Sequence, residues 1–315
     1  MPHADLTAAD WSDRTDESAR RVARAIADER DLRFVGVHDH EYAGRRHRVA
    51  LFDRDGLAFA LVPGDRVTLG YDGTRFTLTP AQATSFDKSA VEYGLPPLPE
   101  LVDNLTSPER TVDLPATLVA VAALDPCLEH LTADDPRVRT AMANVRRGKP
   151  GGMRYFSSDG NVNLRYDAKA RVLSAQLQRQ VSYDEGMRAL AARGLRPSSP
   201  DEWEYACGAG ATTLFRWGDH TPDDGYPYDH ATGPHRDTNL WGLAIGQDPY
   251  EHEYTSDRHV VCGGDGGSAT CGGSGYFVGW LTLATAYRNA EFGAWLASDD
   301  GYEDKIRTRP VIDLT

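Results

Sequence analysis

Long apolar runs are missing from this chain. No stretch of its 315 residues approaches the ~18 apolar residues that mark a membrane-spanning helix. The opening segment, MPHADLTAADWSDRTDES, lacks a basic stretch followed by an apolar one, so it does not read as a secretory signal and a cytoplasmic location is expected. Cysteine is sparse. Cys127, Cys207, Cys262 and Cys271 stand at no CxxC spacing, which excludes a dense disulfide framework and a zinc ribbon alike. Cationic side chains are in deficit, with 34 Lys and Arg against 47 Asp and Glu and a net charge of −13. Such a balance argues against nucleic acid or an anionic membrane as the main partner, because both select clustered cations; a basic or neutral partner suits it better.

What is present is ordinary for a globular chain: 40% hydrophobic and 26% charged residues, with length for one large domain or two modest ones. Asp16 to Arg30 carries Val22, Ile26 and several alanines at helical spacing between charged faces, which predicts an amphipathic helix. Leu32 to Val37, Arg46 to Asp53 and Leu57 to Pro63 read as strands, punctuated by turn signals at Ala43-Gly44 and Asp55-Gly56. Residues 1–56 are expected to form an N-terminal addition packed on a main domain of residues 57–315. Pro96, Pro97 and Pro99 give the segment 74–107 a loop-rich look, either a recognition insertion or a structural spacer. After Asp219 the chain is mostly Gly, Asp, Pro and aromatic residues, which suits loops and short strands.

The stretch GLRPSSPDEWEYACG (Gly194 to Gly208) is the most informative. Ser199 fits an N-cap, Pro200 fits the first helical position, and Glu202 completes a capping box. Trp203, Ala206 and Cys207 then share one face, expected to be buried, with Glu202 and Glu204 turned away from it. With QVSYDEGMRALAARG (Gln180 to Gly194) upstream and FRWGD (Phe215 to Asp219) downstream, this segment resembles the formylglycine-generating enzyme or sulfatase-modifying factor family. That family's pattern runs V-S-W, a helix, R-L-P-T-E-x-E-W-E-Y-A, then Y-P-W-G-D. Weaker echoes at FALVPGDRVTLGYDG (Phe59 to Gly73), PERTVDLPATLV (Pro108 to Val119), NLWGLAI (Asn239 to Ile245), AYRN (Ala286 to Asn289) and RTRPVIDL (Arg307 to Leu314) extend it toward both ends. The resemblance implies an α+β, C-type-lectin-like fold, rich in loops, with short strands and few helices.

The same resemblance implies copper-dependent oxidation through two cysteines in the pattern G-G-S-x-x-C-x-x-x-x-C, since thiolates suit Cu(I). The corresponding region here is HVVCGGDGGSATCGGSGYF (His259 to Phe277). With Gly266-Gly267-Ser268 as the G-G-S, Cys271 matches the first cysteine and Tyr276 occupies the place of the second. With Gly263-Gly264-Asp265 instead, Cys262 falls on the preceding arginine and Ser268 and Gly273 replace both cysteines. Neither register supplies the pair, although a glycine-rich loop can bring Cys262 and Cys271 within metal or disulfide reach. The alternative is that Cys262 merely ends a buried strand. The family's calcium block, G-N-V-W-E-W, becomes DPYEHEY (Asp248 to Tyr254), leaving Asp248, Glu251 and Glu253 as candidates for calcium.

Histidines 220, 230, 235, 252 and 259 lie among aspartates between the WGD block and the glycine run, at no metal-binding spacing, and read chiefly as solvated loop residues. Trp217, Trp280, Tyr287 and Arg288 are candidates for a substrate or partner groove, with a buried ion pair as the alternative for Arg288. Two functions follow. One is a diverged family member that binds a peptide or protein partner, including the toxin-neutralising immunity role to which some of the superfamily have been put. The other is a Cu- or Fe- and O2-dependent oxidoreductase acting through Cys271 on a peptide or small molecule.

Overall fold

The computed structural model describes residues 3–147, 154–157, 161–298 and 307–315. It is a mixed α+β, loop-rich structure with several antiparallel sheets. Two compact units divide it: Met1–Leu124, Arg193–Gly301 and Thr308–Thr315 form one, and Asp125–Ala192 with Tyr302–Arg307 the other.

The first unit begins with α1 (Ala8–Ser12) and α2 (Asp16–Glu29), followed by strands β1 (Arg33–Tyr42), β2 (Arg45–Arg54), β3 (Leu57–Val62) and β4 (Asp65–Leu69). The anticipated amphipathic helix is α2, which buries Ala19, Ala23 and Ile26. Ala43 and Gly44 join β1 to β2 with φ of 50° and 73°, and Asp55 and Gly56 join β2 to β3 with 52° and 80°. These left-handed pairs match the right-handed twist of the hairpins they close. Next come α3 (Pro80–Tyr93), α4 (Leu98–Leu105), β5 (Arg110–Leu114) and β6 (Thr117–Ala120).

The second unit contains β7 (Leu128–His130), α5 (Pro136–Arg147), β8 (Arg154–Phe156), β9 (Val162–Tyr166), β10 (Val172–Gln178) and α6 (Tyr183–Ala191). Its antiparallel sheet runs β7-β10-β9-β8, and Val138, Ala141 and Met142 of α5 pack with Val162, Leu164 and Ala175. Ser182 and Glu185 form a capping box at the start of α6.

The chain re-enters the first unit with β11 (Arg196–Pro197) and α7 (Pro200–Gly208), and continues through β12 (Glu253–Tyr254), β13 (Val261–Cys262), α8 (Ser268–Cys271), α9 (Tyr276–Leu281), α10 (Ala290–Leu296) and β14 (Pro310–Asp313). The main sheet has the order β1-β2-β3-β6-β14-β11, antiparallel throughout. Residues 1–56 are therefore not an addition packed on a separate domain, because their hairpin continues the sheet that holds the C-terminal strand. The predicted capping box of α7 is present: Ser199 Oγ accepts from Glu202 N at 3.1 Å, and Glu202 Oε2 accepts from Ser199 N at 2.7 Å. Trp203, Ala206 and Cys207 are buried against Val49, Ala60, Val119 and Val311 of the sheet.

The segment 74–107 is not mainly loop. Thr79 caps α3 with Gln82 as its capping-box partner, and Pro80 sits at the helix start. Phe86 of α3 and Leu101 and Val102 of α4 join a second apolar cluster with Phe277, Trp280 and Tyr287. Among the described residues no helix is long and apolar enough to cross a membrane.

Candidate functional site

β12 pairs with β13, setting Glu253 opposite Cys262 and Tyr254 opposite Val261, and the glycine run leaves directly from β13. Its fold is held by Asp265, a residue only 3% exposed. The Asp265 carboxylate accepts from Gly267 N at 2.9 Å and Ala269 N at 2.8 Å, turning the loop into α8. Burial raises the pKa of this carboxyl while the backbone N–H groups oppose the rise.

Gly267 has φ +85°, and a Cβ there would run into the Tyr250 ring. This close approach lays Tyr250 over the loop, with its Oη 3.4 Å from Cys271 Sγ. The hydrogen bond to Cys271, followed by desolvation, pushes the Tyr250 phenol up to about 12. Tyr228 lies 6.0 Å from Tyr250 and stacks on Tyr226 at 5.7 Å, which continues the aromatic surface. Tyr228 is 46% exposed and Tyr250 39%, and Cys271 is exposed as well. On another side, Tyr93 Oη donates to Gly272 O at 3.1 Å or Gly273 O at 3.0 Å. Helix α3 thus borders the Cys271 loop, so the segment 74–107 belongs to this site.

Cys262 has the opposite environment. It is fully buried, Arg288 Nη1 donates to its Sγ at 3.0 Å, and burial pushes the thiol up to about 12. Arg288 Nη2 also donates to Glu204 Oε2 at 3.0 Å and to Pro200 O at 2.9 Å. Glu204 is 2% exposed, contrary to the expectation that it turns outward. Its carboxylate further accepts from Gly70 N, Ser107 Oγ at 2.8 Å and Arg110 Nη2 at 3.1 Å. Burying a carboxylate is costly, and it is compensated here by paired cations and hydrogen bonds.

The two cysteines therefore sit in contrasting environments. A thiol ligand must deprotonate; at Cys262 burial opposes this while the Arg288 guanidinium favours it, and Cys271 meets a phenol at the surface. Among the described residues no group of three or more His, Cys, Asp or Glu side chains is arranged to hold a metal. Tyr276 opens α9, and its buried hydroxyl finds no hydrogen-bond partner among the described residues; Ser268 is exposed at the start of α8.

The calcium candidates are likewise dispersed in purpose. Glu253 accepts from Arg309 Nη2 at 2.6 Å, Arg309 Nε at 2.9 Å and Trp203 Nε1 at 2.7 Å, so both its oxygens serve a buried ion pair. Asp248 accepts from Tyr250 N at 3.0 Å and faces Arg236 at 3.5 Å, and Glu251 is exposed.

The expected groove residues are also redistributed. Trp280 and Tyr287 are 0% and 2% exposed in the second apolar cluster, and Arg288 takes the alternative role of a buried ion pair, with Glu204 as its carboxylate. Trp217 is half-buried, stacked on Phe215 at 4.9 Å, with Nε1 donating to His220 O at 2.9 Å. His235 packs against Trp280 at 4.9 Å, and burial lowers its pKa.

Asp265, Tyr93, Tyr228 and Tyr250 were not singled out as site residues in the sequence. The Gly-Gly-Asp-Gly-Gly spelling was the available signal for Asp265, since an aspartate between glycines readily closes a turn onto its own backbone. No protein-family model matches this chain, and no curated protein matches it.

Proposed function

We propose that this protein is a diverged relative of the formylglycine-generating enzymes that binds a peptide or protein segment through the tyrosine surface around Cys271, without copper redox chemistry. The observation that carries this reading is the series Tyr226, Tyr228, Tyr250 and Cys271, of which Tyr226 is half-buried and the other three are exposed, together with a second cysteine that is buried under Arg288. Tyrosines supply large amphipathic contact area at low entropic cost, which is why binding surfaces concentrate them. Exposed Asp223, Asp224 and Asp229 flank the series, so the preferred segment carries Lys or Arg beside an apolar residue. An immunity-type partner is one form that such a segment takes.

The test is selection from a displayed random peptide library, followed by titration of the winning peptides. Basic-aromatic or basic-aliphatic peptides should bind the parent and lose at least about tenfold in affinity on Tyr228→Ala/Tyr250→Ala, while Cys271→Ser binds as the parent does. Peptides that ignore the tyrosine substitutions would refute the assignment of this surface.

A further inference from the structure

The first unit contains a pocket of about 310 Å³ lined by β4, the end of α7 and the chain that follows it. Val67, Leu69, Leu214 and Ala286 give it an apolar wall. Arg75 and Glu109 also line it, paired at 3.1 Å, with side chains 46% and 42% exposed, so they stand where the pocket meets solvent. The guanidinium is steadied over the Tyr71 ring, 4.8 Å from its centroid. Thr285, also in the lining, is 9% exposed, and its Oγ1 finds no hydrogen-bond partner among the described residues. The remaining charged lining group, Glu204, already accepts from Gly70, Ser107, Arg110 and Arg288.

We propose that this pocket binds a free α-amino acid with a small side chain. The α-carboxylate pairs with Arg75 and the ammonium with Glu109, while the side chain lies along the apolar wall of Val67, Leu69, Leu214 and Ala286. Three features select this class. An adjacent cation and anion match a zwitterion, and neither a simple acid nor a simple amine uses both. Their mutual ion pair is solvent-exposed and contributes little, so exchanging it for two ligand contacts costs little. The volume lies near the lower end of the ~300–1,000 Å³ typical of ligand pockets, which suits a small molecule rather than a nucleotide.

Calorimetric titration of the full chain with L-serine, L-threonine, L-asparagine and L-glutamine tests the proposal. At least one should bind. The corresponding amide, which lacks the carboxylate, and the N-acetyl derivative, which lacks the ammonium, should each bind at least about tenfold more weakly. Arg75→Gln should weaken binding similarly. The blocked analogues are compared on the parent protein, so the result does not depend on a variant folding. No heat from any of the four at about 10 mM, or equal binding of the blocked analogues, overturns the proposal.

Discussion

Arg288 Nη1 donates to Cys262 Sγ at 3.0 Å, and this places a fixed positive charge beside a fully buried thiol. The same guanidinium is anchored by Glu204, so its position is set by the core and not by a ligand.

Thiol reactivity should therefore divide sharply. Under native conditions a maleimide is expected to label Cys271 alone, because Cys127, Cys207 and Cys262 are buried and the thiols of Cys207 and Cys262 are pushed up to about 11 and about 12. Peptide mapping by mass spectrometry reads the result. Native labelling of Cys262 at a rate comparable to Cys271 would contradict the environment described for it.

Glu204 should be a major stability determinant. Glu204→Ala leaves Arg110 and Arg288 without their shared carboxylate, and breaking such a buried pair costs about 3–5 kcal/mol. Urea unfolding at neutral pH measures it, and a loss below about 1 kcal/mol, the range of surface pairs, would show that the network matters little.

The arrangement of Tyr250 over Cys271 depends on a glycine. Gly267→Ala introduces a Cβ where the Tyr250 ring rests, at a φ that costs a non-glycine residue about 1–2 kcal/mol. Tyr250 should move off Cys271, and its phenol pKa should fall from about 12 toward the ordinary 10.0. Spectroscopic titration of the phenol, with Tyr250→Phe as the reference, tests this; an unchanged Tyr250 titration would mean that the contact does not hold the ring.

His47 makes stability pH-dependent. Desolvation and the nearby Arg48 and His40 lower its pKa from 6.5 to about 4. The unfolded chain thus binds more protons between those values, so this contribution is full above pH 6.5 and is lost as pH falls toward 4. The loss is on the order of 3 kcal/mol at most, from a shift of this size at about 1.4 kcal/mol per unit. Unfolding free energies measured across this range should show a slope that His47→Gln flattens, and an unchanged slope would assign the acid sensitivity elsewhere.

Much of the first unit is legible locally. The spacing of Val22 and Ile26, the Ala43-Gly44 and Asp55-Gly56 turns, and the Ser199/Glu202 capping box each depend on residues close in sequence, and each is found as read. Helix α3 carries a comparable sign, Thr79-Pro80 with Gln82, but Pro96, Pro97 and Pro99 at the junction with α4 give the segment a loop-like composition. Glu204 was misplaced because helical periodicity cannot reveal that arginines distant in sequence meet it inside the core. The tyrosine site was hidden for a similar reason: Tyr250 reaches Cys271 only after β12 pairs with β13 and the glycine loop turns back. Likewise, the antiparallel sheet of the second unit arises from pairings such as Gln176 with His130, which no short sequence window contains.

We propose that the tyrosine surface, and not cysteine-bound copper, is the working part of this molecule. The most direct test is titration of library-selected peptides into the parent protein, Tyr228→Ala/Tyr250→Ala and Cys271→Ser. Binding that survives in Cys271→Ser and falls at least about tenfold in the tyrosine variant is the predicted result. Binding that is insensitive to both tyrosines, or that requires Cu(I) and Cys271, would contradict it.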